Sequence, residues 1–117
     1  MVDKTQFGEL VDVNETVSIA SGQQTSDAVD TRGMVLVGVR MPAAFTGTAL
    51  TFVSGESFAG TYQDVYNSAG TALSATVAAS RTVIFNPTDL AGLQFIKLKS
   101  GSAEGADRTI TLILRAL

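Results

Sequence analysis

The sequence predicts an all-β fold, a single antiparallel β-sandwich of jelly-roll type with about eight short strands. Three observations predict it. Short apolar or alternating segments recur roughly every 10–12 residues, each closed by Gly, Pro, Asn or Ser. No segment places apolar residues at helical spacing for long enough to form a helix that packs. The chain has 117 residues, the size of one domain with one core. An immunoglobulin-like order of strands is the second topology compatible with this pattern.

Residues 1–15 read as an N-terminal arm or a first strand, and residues 16–117 as the sandwich domain. Thr16-Val17-Ser18-Ile19-Ala20 alternates with period two and is followed by a turn at Ser21-Gly22-Gln23-Gln24. Thr25 to Asp30 is mostly polar, a weak edge strand. Met34 to Met41 is apolar on both faces, as a central strand should be, and Pro42 ends it by removing a ladder donor. Ala49 to Val53 buries Leu50 and Phe52 if Thr51 faces out. Thr61 to Tyr66 is a strand with aromatic ends, and Asn67-Ser68-Ala69-Gly70 turns the chain into Leu73 through Val77. Arg81 to Asn86 is the next strand. Pro87 to Gly92 is the one segment that reads as a helical turn, with Pro at its start and Gly at its end. Gln94 to Ser100 puts Ile96 and Leu98 on one face, with Phe95, Lys97 and Lys99 on the other. Asp107 to Arg115 closes the domain with Ile110, Leu112 and Leu114 inward and Thr109, Thr111 and Arg115 outward.

Composition narrows the function. Charged residues make up 16% of the chain, against roughly 25% in an average soluble domain. The mean hydropathy is +0.27. A surface this poor in charge points to self-association or docking on a larger body. No apolar run approaches the length of a membrane span, so no membrane partner is expected. Residues Met1 to Gln6 carry neither the basic nor the apolar stretch of a signal peptide. The formal charge is −3, the reverse of the basic excess that phosphate backbones require, so nucleic acid is not an expected partner. The charge is also uneven. Residues 1–31 hold Asp3, Glu9, Asp12, Glu15, Asp27 and Asp30 against Lys4 alone, whereas residues 81–117 hold Arg81, Lys97, Lys99, Arg108 and Arg115 against Asp89, Glu104 and Asp107. Two solvated faces account for this, as does an acidic arm that docks on a basic face of a neighbouring subunit.

There is no His, Cys or Trp. Ser–His–Asp and Cys–His nucleophiles and His- or Cys-ligated zinc are therefore excluded. No catalytic residue, cofactor or metal ligand set is expected. Paired carboxylates acting on a glycan would be the one enzymatic route. Asp27 and Asp30 lie in a polar segment that offers oxygens to Ca²⁺ without EF-hand spacing. Phe58, Tyr62 and Tyr66 are the candidate surface-binding residues. With Tyr62 and Tyr66 four apart on one strand face, they read as an aromatic platform for a sugar or peptide, or as cover for one edge of the core. Arg40 and Arg81 sit at strand boundaries, where a solvated rim is the ordinary reading.

The stretch Leu36-Val37-Gly38-Val39-Arg40-Met41-Pro42-Ala43-Ala44-Phe45-Thr46-Gly47, with Leu50-Thr51-Phe52 after it, resembles a small structural protein family of tailed bacteriophages. So do Tyr62 to Gly70, Ala79-Ser80-Arg81, Pro87 to Gly92, Phe95 to Gly101 and Ala106 to Leu112, and the resemblance spans about residues 16–115. In place of the family's fuller Asp-Gly-Gly turn, this chain has Ser57-Phe58-Ala59-Gly60. The resemblance implies a non-enzymatic β-sandwich component of the virion, a capsid decoration or cement subunit. It implies the major capsid protein as partner and a homo-oligomer, with a trimer matching local three-fold positions. It also implies a place on the capsid surface after synthesis in the bacterial host cytoplasm. The alternative is a receptor- or carbohydrate-binding module of a tail, fibre or head spike.

Overall fold

The computed structural model describes residues 13–116, and in it the alternating segments become nine antiparallel strands. These are β1 (Val13–Ile19), β2 (Val29–Asp30), β3 (Val35–Arg40), β4 (Ala49–Gly55), β5 (Tyr62–Asp64), β6 (Ser74–Thr76), β7 (Thr82–Ile84), β8 (Phe95–Ser100) and β9 (Arg108–Arg115). The first sheet has the order β1-β9-β3-β7, and the second runs β2-β8-β4-β5 with β6 also beside β4. The pairs nest: β1 with β9, β2 with β8, β3 with β7, and β4 with β5 and β6. Two chain halves thus pair as one long antiparallel hairpin that rolls into a sandwich, which is the jelly-roll arrangement the strand pattern predicts.

The nine strands fall in the nine segments read from the sequence, and two of them share one edge. β5 pairs with Val53–Gly55 and β6 with Ala49–Thr51, so both lie along the same edge of β4. Between them the chain leaves the sheet in a small hairpin. Tyr66 bridges Ala72, and the Asn67 side-chain oxygen accepts from the N–H groups of Ala69 and Thr71 at 2.9 and 3.0 Å. Two short strands therefore occupy the place of one interrupted edge strand.

The core lies where the inward-facing residues of both sheets meet. Val17, Ile19, Leu36, Val39, Ile110, Leu112 and Leu114 of the first sheet face Leu50, Phe52, Ile96 and Leu98 of the second. Their alternation is the one read from the sequence, including Leu50 and Phe52 inward about Thr51. Phe52 meets Phe85 edge to face, with ring centroids 5.2 Å apart. Met41, Phe45, Val77 and Leu90 extend the buried cluster from the connecting segments.

Three elements differ from expectation. The first strand starts at Val13 rather than residue 16, and residues 1–12 of the expected arm lie outside the described residues. The edge segment from Thr25 shrinks to β2 because a hydroxyl replaces a carbonyl in its ladder. The Ser26 N–H donates to the Leu98 carbonyl at 2.8 Å, but the Leu98 N–H donates back to Ser26 Oγ at 3.0 Å. Residues 87–92 form consecutive turns, and no helix occurs among the described residues. The Asn86 side chain accepts from the Thr88 N–H and hydroxyl, and the Leu93 N–H reaches the Leu90 carbonyl. Asn86 thus caps a single turn, and the Asp89 N–H to Asn86 carbonyl and Leu93 N–H to Leu90 carbonyl bonds span three residues without continuing into a helix.

One buried residue of β9 escapes the alternation. Ile113 points to the outer face yet is only 3% exposed. It stands opposite Gly38, with Ile84 opposite the same glycine on the other side. A Cβ at Gly38 would meet the Val83 carbonyl oxygen at 2.8 Å, Ile84 Cδ1 at 3.0 Å and Ile113 Cδ1 at 3.3 Å. Glycine lets both isoleucines close over the backbone next to a register shift between Leu36 and Gly38. Gly38→Ala is expected to lower the unfolding free energy by about 1–3 kcal/mol through overpacking, measured as a shift of the urea midpoint at unchanged slope.

Candidate functional site

The β4–β5 connection and the start of β5 carry two of the three aromatic candidates, Phe58 and Tyr62. Gly55 pairs with both Tyr62 and Phe95, so these residues share the outer face of the second sheet. Tyr62 lies over Gly55, where a Cβ would come within 3.2 Å of its ring and 2.9 Å of the Thr61 carbonyl oxygen. The Tyr62 hydroxyl donates to the Phe58 carbonyl at 2.8 Å, and burial pushes its pKa up. Lys97 Nζ sits 4.5 Å from the Tyr62 ring centroid, within cation–π range. Phe58, 55% exposed, meets Phe95 edge to face with centroids 6.3 Å apart. Phe58 and Tyr62 thus belong to one cluster with Phe95 and Lys97.

Tyr66 does not join them. β5 ends at Asp64, Val65 turns in against the core, and Tyr66 starts the hairpin excursion. The shared strand face expected from the spacing of four does not form, because the strand stops before the second tyrosine. Tyr66 is 57% exposed and lines a cleft of about 760 Å³. Glu56, Ser57, Thr61, Gln63 and Asp64 line it as well, and Tyr62 does not.

The remaining sequence candidates are placed plainly. Asp27 accepts from the Ser18 N–H, and Asp30 accepts from the Arg32 N–H and the Gln94 amide. Both carboxylates serve turns. Among the described residues no group of three or more His, Cys, Asp or Glu is placed to hold a metal ion. Arg40 donates to Thr82 Oγ1 at 3.1 Å on the outer face of the first sheet, and Arg81 is exposed beside it in the chain. The cations of residues 81–117 do not gather into one face. Lys97 and Lys99 lie on the outer face of β8, while Arg108 turns toward a buried carboxylate.

That carboxylate, Glu104, is the polar centre that sequence reasoning missed. It is 1% exposed in the loop between β8 and β9. Its Oε1 accepts from the Thr46 N–H and from Arg108 Nε, both at 2.9 Å. Its Oε2 accepts from Thr46 Oγ1 at 2.8 Å and from the Gly47 N–H at 3.1 Å. Gly47 is needed for this approach, since a Cβ there would lie 2.7 Å from Ser100 Oγ and 2.9 Å from the Phe45 ring. The one sequence signal was Arg four residues after a Glu in a Gly-bounded loop. Thr46 is 58 positions away, so nothing local disclosed it.

Burial alone would push the Glu104 carboxyl up. The hydrogen bonds from Thr46 and Arg108, with the guanidinium charge, outweigh it and hold the group below its ordinary value. A carboxyl lowered on folding contributes stability above its unfolded-state pKa and loses it as pH falls through the folded-state value.

Comparison with protein-family models finds no match, and comparison with curated proteins finds none either. The nested strand order defines a jelly-roll sandwich, and a solved structure shares that architecture. The chain is similar to the crystal structure of SPBc2 prophage-derived protein YomS, with a TM-score of 0.53 at 13% identity. The match covers 89% of this chain and 95% of that one. At that identity the likeness is one of fold.

Two predictions follow from this geometry. Glu104→Gln should cost about 1.5–3 kcal/mol at neutral pH, where charged hydrogen bonds are lost. It should also flatten the fall in thermal midpoint expected of the native chain below about pH 5; a pH series of melting curves measures both. Tyr62→Phe removes only the bond to the Phe58 carbonyl and should cost about 0.5–1.5 kcal/mol, read from urea unfolding.

Proposed function

We propose that this chain is a non-enzymatic structural protein of a tailed-phage virion, a capsid decoration or cement subunit that binds the major capsid protein and stabilises the head lattice. The observation that carries this reading is the outer face of the first sheet. Its cross-strand rows are Ser18 with Thr109, then Thr16, Thr111, Arg40 and Thr82, then Asn14, Ile113, Gly38 and Ile84. With Arg115, which faces the same way on β9, the face holds two charged residues among the described residues, Arg40 and Arg115, and its last row ends in Ile84, which is 68% exposed. A regular face of hydroxyls and aliphatics desolvates cheaply against another subunit, and depletion of charge is the mark of an interface centre.

Three further points support the proposal. The fold is shared with a prophage-derived protein, jelly rolls recur among viral capsid modules, and the net acidic charge suits the outside of a DNA-filled shell. A subunit that binds the assembled lattice better than free parts stabilises it by linkage. A homo-oligomer, as a trimer at local three-fold positions, belongs to the same reading.

The test is on particles. Virions lacking the protein should open at a lower temperature, or at a milder lowering of salt, than intact ones, and Ile84→Asp should reduce the copies retained per particle while leaving the fold intact. Equal opening temperatures for stripped and intact particles, with full retention of the Ile84→Asp protein, would reject the proposal.

A further inference from the structure

The cleft beside Tyr66 belongs to a different side of the molecule from the face just described, and its chemistry is different. We propose that it is a binding site for a neutral oligosaccharide built of hexose or N-acetylhexosamine units, with Tyr66 as the stacking ring and Gln63, Asp64 and Glu56 as the hydroxyl-recognising groups.

The first argument concerns the tyrosine. Its ring makes no aromatic contact among the described residues, in contrast to Phe58 on Phe95 and Phe85 on Phe52. The backbone beside it is nevertheless ordered. The hairpin that carries it is closed by the Asn67 N–H on the Thr71 carbonyl at 2.9 Å and the Leu73 N–H on the Val65 carbonyl at 3.0 Å. A ring held outward on an ordered hairpin presents a flat apolar surface with a hydroxyl at its tip, which matches the C–H face and rim hydroxyls of a pyranose. Fixing the hairpin backbone before binding removes part of the ordering cost.

The second argument is what the polar side chains of the cleft leave unused. Elsewhere, Asp27, Asp30, Asn67, Asn86 and Asp107 each accept from a backbone N–H. The side chains of Glu56, Gln63 and Asp64 accept no hydrogen bond and form no ion pair among the described residues. Carboxylates and amides are planar groups that take pairs of neighbouring hydroxyls, and Gln63 adds two donors. Ser57 and Thr61 bring smaller hydroxyl partners to the same wall.

The third argument fixes the charge class. Two carboxylates line the cleft, and no Lys or Arg does. Phosphate, sulfate, sialic and uronic groups would meet like charge without a partner. The volume of about 760 Å³ is within the range of small-molecule sites. Anions are thereby disfavoured, and a neutral, hydroxyl-rich ligand with one apolar face uses the ring and the polar wall together.

The experiment is a titration of the full chain, ¹⁵N-labelled, with maltotriose and N,N′,N″-triacetylchitotriose as neutral probes and 3′-sialyllactose as the anionic one. Amide shifts confined to residues 54–66 are expected with a neutral probe, and no comparable shifts with sialyllactose. Tyr66→Ala and Gln63→Ala should each weaken binding about tenfold, while Lys99→Ala, on the outer face of β8, leaves it within about twofold. Tyr66 is exposed, so its variant is expected to keep the native melting point, which is measured alongside. No shift with either neutral probe up to about 10 mM, shifts that survive Tyr66→Ala, or tighter binding of sialyllactose would each overturn the assignment. The outcome is independent of particle stability, which is read on Ile84 and not on Tyr66.

Discussion

The pairing of β9 with β1 on one side and β3 on the other is the constraint on which the structure depends. Ile110, Leu112 and Leu114 of this strand are all fully buried. A slip of one residue would turn that whole set outward, so the register is held by the core itself. The loop that delivers the chain to β9 is pinned by Glu104, which binds Arg108 at the start of the strand and Thr46 and Gly47 in the β3–β4 connection. A buried carboxylate is costly when unpaired, and here every hydrogen bond it accepts comes from a group that must sit in place for β9 to enter correctly.

This arrangement makes the two ends of the sandwich unlike. At the end sealed by Glu104, three connections are tied together. The Gly22 N–H also donates to the Glu104 carbonyl, and the Ser21 N–H donates to Asp107. At the other end the β4–β5 connection carries Phe58 outward, and midway along the edge of β4 the hairpin after Val65 does the same with Tyr66. Rigidity at one end and presented side chains at the other suit a block that is held by one surface and displays another.

The sheet edges are managed by the same economy. β2 has two residues, β7 has three, and the edge beside β4 is broken into β5 and β6. At the edge strand β1, Glu15 stands opposite Leu112, on the inward side of the pleat. Short strands and an inward charge deny a neighbouring chain a long ladder to extend. Association is left to faces, where the side chains choose the partner.

The sequence by itself determined the all-β class, the strand positions and most of the inward-facing residues. Alternation is a local property of the extended chain, so Leu50 and Phe52, or Ile96 and Leu98, declare their face without knowledge of their partners. Tertiary structure alone decided what depends on partners far away in the chain. Ile113 is buried because its neighbour across the sheet is glycine. Glu104 is a structural centre because Thr46, 58 positions earlier, arrives beside it. Tyr62 and Tyr66 part because Val65 finds the core between them. The spacing of four placed the two rings together only on the premise of an unbroken strand, and the packing of one intervening side chain removed that premise.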